Sequence, residues 1–129
     1  MIKYLLDTNI CIYLIEEIPD SVVKHFTNCK FGEVAISTVT WGEICCGLNI
    51  HNGRDEIDAL FAKIVAENYS VEAAEIFGKL SQDYPVRKST LDRMIAAHAL
   101  SLNAILVTNN IADFSVYQGA GLKIENWVE

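Results

Sequence analysis

The chain is short of basic residues: ten Lys and Arg stand against seventeen Asp and Glu, for a formal net charge of −7. Proteins that coat themselves in nucleic acid are usually basic, so this balance argues against broad phosphate binding. It leaves room for an enzyme whose acids are needed at its reactive centre, and for a basic protein partner. No apolar run approaches the roughly 20 residues that span a bilayer. The N-terminus lacks the charged start, apolar stretch and small-residue cleavage site of a signal peptide. A cytosolic protein without membrane contact is expected. The four cysteines form no C-x-x-C pair, since Cys11 and Cys29 are far apart and Cys45 and Cys46 are adjacent. They read as small buried hydrophobes with free thiols, which argues against zinc. There is no Ser/His/Asp or Cys/His arrangement, no phosphate-binding glycine loop, no internal repeat and no charge block.

What is present suits one α/β domain over residues 1–129, with 51% hydrophobic content and enough length for a core. Ile2 to Leu6 reads as a buried parallel strand ending at Asp7, with Thr8 and Asn9 as turn and N-cap residues of an apolar-rich helix. Pro19 ends that helix or opens the next, through Val22, Val23 and Phe26. Val34 to Ser37 is a second strand, feeding a helix through Glu43 and Leu48 that the Asn49–Gly53 stretch should end. Helical spacing covers Asp55 to Glu67, with an extended piece around Glu67 to Tyr69. Ser70 and Ser89 open two further helices, Pro85 lying between them. Ala104 to Thr108 and Leu122 to Trp127 read as the last strands. The alternation predicts an α/β three-layer domain whose mainly parallel central sheet is flanked by helices.

Three carboxylates, Asp7, Glu43 and Asp92, each stand where a strand or turn gives way to a helix. Parallel sheets build their ligand crevice just beyond the carboxyl ends of the strands, so acids carried there by separate segments can converge. Clustered like charges need a cation or a proton, and the natural cation for oxygen ligands is hard and divalent, magnesium or manganese. Each acid also has a structural explanation. Asp7 can cap the helix after it. Thr40-x-x-Glu43 fits a capping box, and Ser89-x-x-Asp92 nearly does. Spacing alone leaves the two readings balanced.

Local motifs tip the balance. Lys-Tyr-Leu-Leu-Asp7-Thr8-Asn9-Ile resembles the opening of PIN-domain nucleases, in particular the VapC toxins of bacterial toxin–antitoxin pairs. Ser37-Thr-Val-Thr40-Trp-Gly-Glu43-Ile-Cys-Cys-Gly47 resembles the family's second motif, and Asp92-Arg-Met-Ile-Ala-Ala-His98-Ala its third. Thr108-Asn109-Asn110-Ile-Ala-Asp113-Phe114 is similar to the fourth, and the ending through Trp127 to the VapC terminus. The motifs occur in order and cover nearly the whole chain. The resemblance implies a PIN-like fold and an endoribonuclease in which Asp7, Glu43 and Asp92 bind Mg2+ or Mn2+. It also implies products with a 5′-phosphate and a 3′-hydroxyl, a homodimer, and silencing by a cognate VapB-like antitoxin. Two departures stand out. Tyr-Pro85-Val-Arg87-Lys88 replaces the Gly-rich stretch common before the third acid, and Asn110 occupies the fourth-acid position of many PIN domains. Asp113 is a candidate to supply the missing charge.

Thr8, Asn9, Ser37 and Thr108 can hold the carboxylates by hydrogen bonds or serve as turn and cap residues. Arg87, Lys88 and Arg93 form the only tight basic group and flank Asp92. They read as an RNA-steering patch or as a solvated helix entrance. His98, six residues beyond Asp92, points away from it on an ideal helix and reads as structural; His25 and His51 read as surface residues. Two rivals to the nuclease remain at this stage. An aspartate-nucleophile phosphatase would want Asp-x-Asp where Asn9 stands, and a silent acidic pocket would serve only as a binding or scaffold module.

Overall fold

The computed structural model describes residues 1–51, 54–85 and 89–129, with the side chains of 47–51, 54 and 56 left out of the description. Five strands form one sheet: β1 (Tyr4–Leu6), β2 (Val34–Ser37), β3 (Val65–Glu67), β4 (Ile105–Val107) and β5 (Lys123–Glu125). Their order is β3-β2-β1-β4-β5 and every pairing is parallel, where the sequence promised only a mainly parallel sheet. The connecting helices are α1 (Thr8–Glu16), α2 (Asp20–Thr27), α3 (Thr38–His51), α4 (Arg54–Phe61), α5 (Val71–Asp83), α6 (Thr90–Leu102) and α7 (Ile111–Phe114). A 3-10 helix (Ser115–Ala120) follows α7.

Alternation along the short strands divides the core. Leu6, Val34, Ile36 and Val107 pack with Ile10 and Leu14 of α1, Val22 of α2, Ile44 of α3 and Leu60 of α4. Leu5, Ala35 and Leu106, from the opposite face, pack with Leu80 of α5, Ile95 and Ala99 of α6, Phe114 of α7 and Tyr117. That is the three-layer arrangement expected of strands buried on both faces. Among the described residues no helix is long and apolar enough to cross a membrane.

Several local expectations are corrected. Helix α4 stops at Phe61 and its neighbour Ile64 leads into β3, so the helical spacing through Glu67 spans a helix and an edge strand. Short apolar runs carry both periodicities poorly, which is why the boundary was hidden. Asp7, not Thr8 or Asn9, caps α1, its Oδ1 accepting from the Ile10 N–H at 3.0 Å. Pro19 opens the next helix, the second of the two places expected for it, as the N-cap residue of α2. The helix stop placed at Asn49–Gly53 falls partly outside the described residues, as does the side chain of His51. His25 is half-buried, its ring stacked 5.4 Å from that of Trp127, which in turn packs edge-on against Tyr4. The Trp127 indole donates to Glu125 Oε1 at 2.8 Å, fastening the chain's end over the first layer.

His98 lies in the middle of α6, 1% exposed, with its ring edge-on to Tyr69 at 5.0 Å. Burial pushes its pKa below the ordinary value, partly opposed by the Asn68 backbone. The folded state therefore binds fewer protons than the unfolded chain near pH 6.5. The resulting stabilisation is complete above the unfolded pKa and is lost as pH falls through it towards the folded value. Urea unfolding between pH 7.5 and 5 should show a midpoint that declines less steeply in His98→Gln than in the parent. Equal slopes would assign the acid sensitivity to another group.

Candidate active site

At the middle of the sheet the winding reverses, with β2 and β3 on one side of β1 and β4 and β5 on the other. Open parallel sheets bind ligands beyond the carboxyl ends of their strands at such a point. Here Asp7 follows β1 and Thr108 follows β4, tied by the register Leu6↔Val107 and by the Asp7 N–H donating to the Val107 carbonyl at 3.0 Å. A cleft of about 150 Å3 opens there. Asp7, Thr8, Asn9, Glu43, Asp92 and Asn110 supply its polar lining, and Ile95 and Phe114 its apolar wall. The three acids predicted from the sequence thus share one cleft, together with the fourth-position Asn110.

Each acid is held differently. Asp7 is 7% exposed, and both its oxygens accept hydrogen bonds: Oδ1 from the Ile10 N–H and Oδ2 from the Thr108 hydroxyl at 2.5 Å. Burial raises its pKa and the nearby Glu43 charge adds to the rise, while Thr108 and the Ile10 and Asn9 backbone pull it down. Glu43 Oε1 accepts from the Thr8 hydroxyl at 2.8 Å. The capping-box reading of Glu43 fails, because α3 begins at Thr38, two residues before Thr40. Ser37 caps this helix, its hydroxyl accepting from the Val39 N–H at 3.1 Å, and Thr40 is buried inside it. Asp92 does carry a helix-start role: its N–H donates to the Ser89 hydroxyl at 3.4 Å and it sits in the first turn of α6. An acid there complements the helix dipole, so the structural and the chemical reading coexist.

Of the supporting residues, Thr8 and Thr108 hold carboxylates, Ser37 serves its helix, and Asn9 stands exposed on the cleft. The Thr108 hydroxyl also accepts from the Asn110 N–H at 2.9 Å. The Asn110 side-chain amide donates to Asp113, which is not itself among the lining residues. Of the basic trio, only Arg93 is among the described residues; Arg87 and Lys88 lie outside them. Arg93 is drawn into the fold, donating to the Tyr117 hydroxyl, the Ser81 hydroxyl and the Tyr84 carbonyl. Sequence reasoning overlooked Ile95 and Phe114. Ile95 was within reach, three residues past Asp92 and hence on the same helix face. Phe114 was not, because the four-residue α7 is too short to show a period.

Among the described residues no group of three or more His, Cys, Asp or Glu closes to a metal cage. The acids line the cleft without converging on one point. A magnesium-like ion does not require convergence, since it keeps several waters and is bound through one or two carboxylates. A larger concavity of about 560 Å3 lies elsewhere, among Leu14, Phe26, Phe31 and Leu60. Its lining is chiefly apolar, so the smaller acidic cleft is the better seat for chemistry.

The chain is similar to known proteins along nearly its whole length. The PIN domain family matches residues 4–119. The tRNA(fMet)-specific endonuclease VapC of Shigella flexneri is 35% identical, covering 98% of this chain and 99% of its own. Among solved structures, DNA-bound VapBC from Salmonella typhimurium superposes with a TM-score of 0.86 at 28% identity, over 98% of this chain and 99% of that one. VapBC2 from Rickettsia felis, bound to a DNA fragment from their promoter, gives 0.83 at 30% identity with the same coverage.

The opposing influences on Asp7 make a direct test. In protein without added metal, Thr108→Val removes a donor that favours the carboxylate and should raise the Asp7 titration midpoint. Glu43→Gln removes a like charge and should lower it. Carboxyl 13C NMR reads both, and a midpoint unmoved in Thr108→Val would show that this hydroxyl does not hold Asp7.

Proposed function

The chain belongs to the PIN domain family, among its VapC ribonucleases, and we propose that the cleft at the β1–β4 reversal is the RNA-cleaving centre, with Asp7, Glu43 and Asp92 holding a divalent cation. As a VapC protein it is an endoribonuclease toxin restrained by a VapB antitoxin. The observation that carries the site assignment is the gathering of three acids and Asn110, from four separate segments, into one cleft with no basic side chain among its described lining.

The donor set fits a hard cation. Asp7, Glu43 and Asp92 offer only carboxylate oxygens, and Asn110, its amide nitrogen engaged by Asp113, has its carbonyl oxygen to offer. The burial that raises the Asp7 pKa marks a carboxylate whose charge would be favoured by a cation alongside. Mg2+ is the ion we assign, with Mn2+ able to replace it. When bound, such an ion supplies a water of lowered pKa and offsets negative charge gathering on the phosphate.

The protein's own groups do the rest. Asp7, fixed through both oxygens, is the anchor. Glu43 and Asp92, half-exposed on the cleft, would hold the cation on the side open to the phosphodiester, and one of them would accept the attacking water's proton. Ile95 and Phe114 form the apolar side of the cleft. Initiator tRNA is the first substrate to try, given the specificity named for the Shigella relative. A homodimer acting in the cytoplasm completes the reading.

Purified protein should cut RNA with Mg2+ and stop on chelation. Asp7→Asn and Asp92→Asn should each reduce the rate by about 10²-fold or more while circular dichroism stays native. Asn110→Ala should cost less, and Asp113→Asn, acting through Asn110, less again. A folded Asp7 or Asp92 variant cutting at the parental rate removes that residue from the centre. RNA left intact by the parent under every metal tried would favour the silent pocket.

A further inference from the structure

Arg93 follows Asp92 directly, and its guanidinium is committed to the interior of the second layer. Nε donates to the Tyr117 hydroxyl at 3.1 Å, one terminal nitrogen to the Ser81 hydroxyl at 3.1 Å, and the other to the Tyr84 carbonyl at 3.0 Å. These partners belong to three places in the chain: the body of α5, the residue that ends it, and the 3-10 helix. Tyr117 is fully buried, and Tyr84 packs edge-on against it at 5.8 Å. Behind Tyr84 stands Gly119, where an added Cβ would lie 2.9 Å from the Tyr84 hydroxyl oxygen. The result is a clasp of one arginine and two tyrosines, closed by a glycine that leaves Tyr84 its space.

We infer that Arg93 is a positioning residue for the metal-binding acid beside it, setting the first turn of α6 so that Asp92 lines the cleft. This rests on the proposed role of Asp92. Only four residues of α6 precede Met94, and their own cap is the 3.4 Å contact between Ser89 and the Asp92 N–H, at the long end of hydrogen bonding. The clasp adds three further bonds to the same turn from a planar fork of fixed geometry. Lysine carries the same charge but not the fork, so it cannot replace all three. The clasp also reaches the cleft's apolar wall, because Tyr117 lies in the 3-10 helix that continues from Phe114.

The test compares the parent with Arg93→Lys, Tyr117→Phe and Gly119→Ala, none of which changes net charge. If the clasp positions Asp92, Arg93→Lys lowers Mn2+ affinity by about tenfold in calorimetry. It lowers kcat on RNA to a similar degree and leaves KM nearly unchanged. Tyr117→Phe and Gly119→Ala move both quantities the same way by less. A raised KM with parental kcat and Mn2+ affinity would make Arg93 an RNA contact and overturn the inference. So would parental behaviour throughout. Should Arg93→Lys not fold, Tyr117→Phe, which keeps ring and volume, carries the same comparison. Should the parent bind no Mn2+, the metal reading fails by itself. The positioning claim is then decided by the crystal structure of Tyr117→Phe or Arg93→Lys, in which Asp92 is either displaced or unmoved.

Discussion

The hydrogen bond from Thr108 to Asp7 spans 101 positions of sequence and closes the centre of the sheet at the point where the cleft opens. Everything in the site is referred to it. It fixes one oxygen of the most buried acid, and the same hydroxyl receives the Asn110 N–H, so a single threonine orients residues on both sides of the winding reversal. A hydrogen bond to a charged group is worth roughly 1.5–3 kcal/mol. That is enough to matter against the burial that opposes ionisation of Asp7, and it acts where the backbone is already rigid through parallel pairing of β1 with β4.

Around that bond, three anions are tolerated in one cleft because each is stabilised by a separate device. Asp7 is an N-cap with a second donor, Asp92 stands at the start of α6, and Glu43 lies too far into α3 for its helix dipole to help. The Thr8 hydroxyl serves Glu43 instead, and Thr8 is the residue next to Asp7. Capping and chemistry were posed as alternatives when the sequence was read, but at Asp7 and Asp92 a helix-start role and a place in the cleft coexist. Only at Glu43 does the geometry separate them.

This explains what was legible. The strands and the order of elements followed from apolar runs and turn residues, because buried parallel strands leave a local signature. The acids were visible as junction residues, and the ordered motifs identified their company. Less legible was anything set by tertiary contact. The fate of Arg93 depends on Tyr117, twenty-four positions away, and a basic cluster in sequence says nothing of such a partner. The wall residue Phe114 and the split of Asp55–Glu67 into helix and strand were hidden for a different reason, since three- and four-residue elements are too short to display a period.

The two helical layers are also joined beside the cleft, where Ile10 of α1 and Ile44 of α3 lie in one core and Ile95 of α6 and Phe114 of α7 in the other. Tyr69 makes that connection. Its N–H donates to the Thr38 hydroxyl at 3.2 Å, at the start of the helix bearing Glu43. Its phenol donates to the Met94 carbonyl at 3.0 Å, in the helix bearing Asp92. Burial pushes the phenol pKa up to about 12, so it remains a donor across the physiological range. The ring also rests against the buried His98. A residue outside every regular element thus joins the start of the helix bearing Glu43 to the helix bearing Asp92.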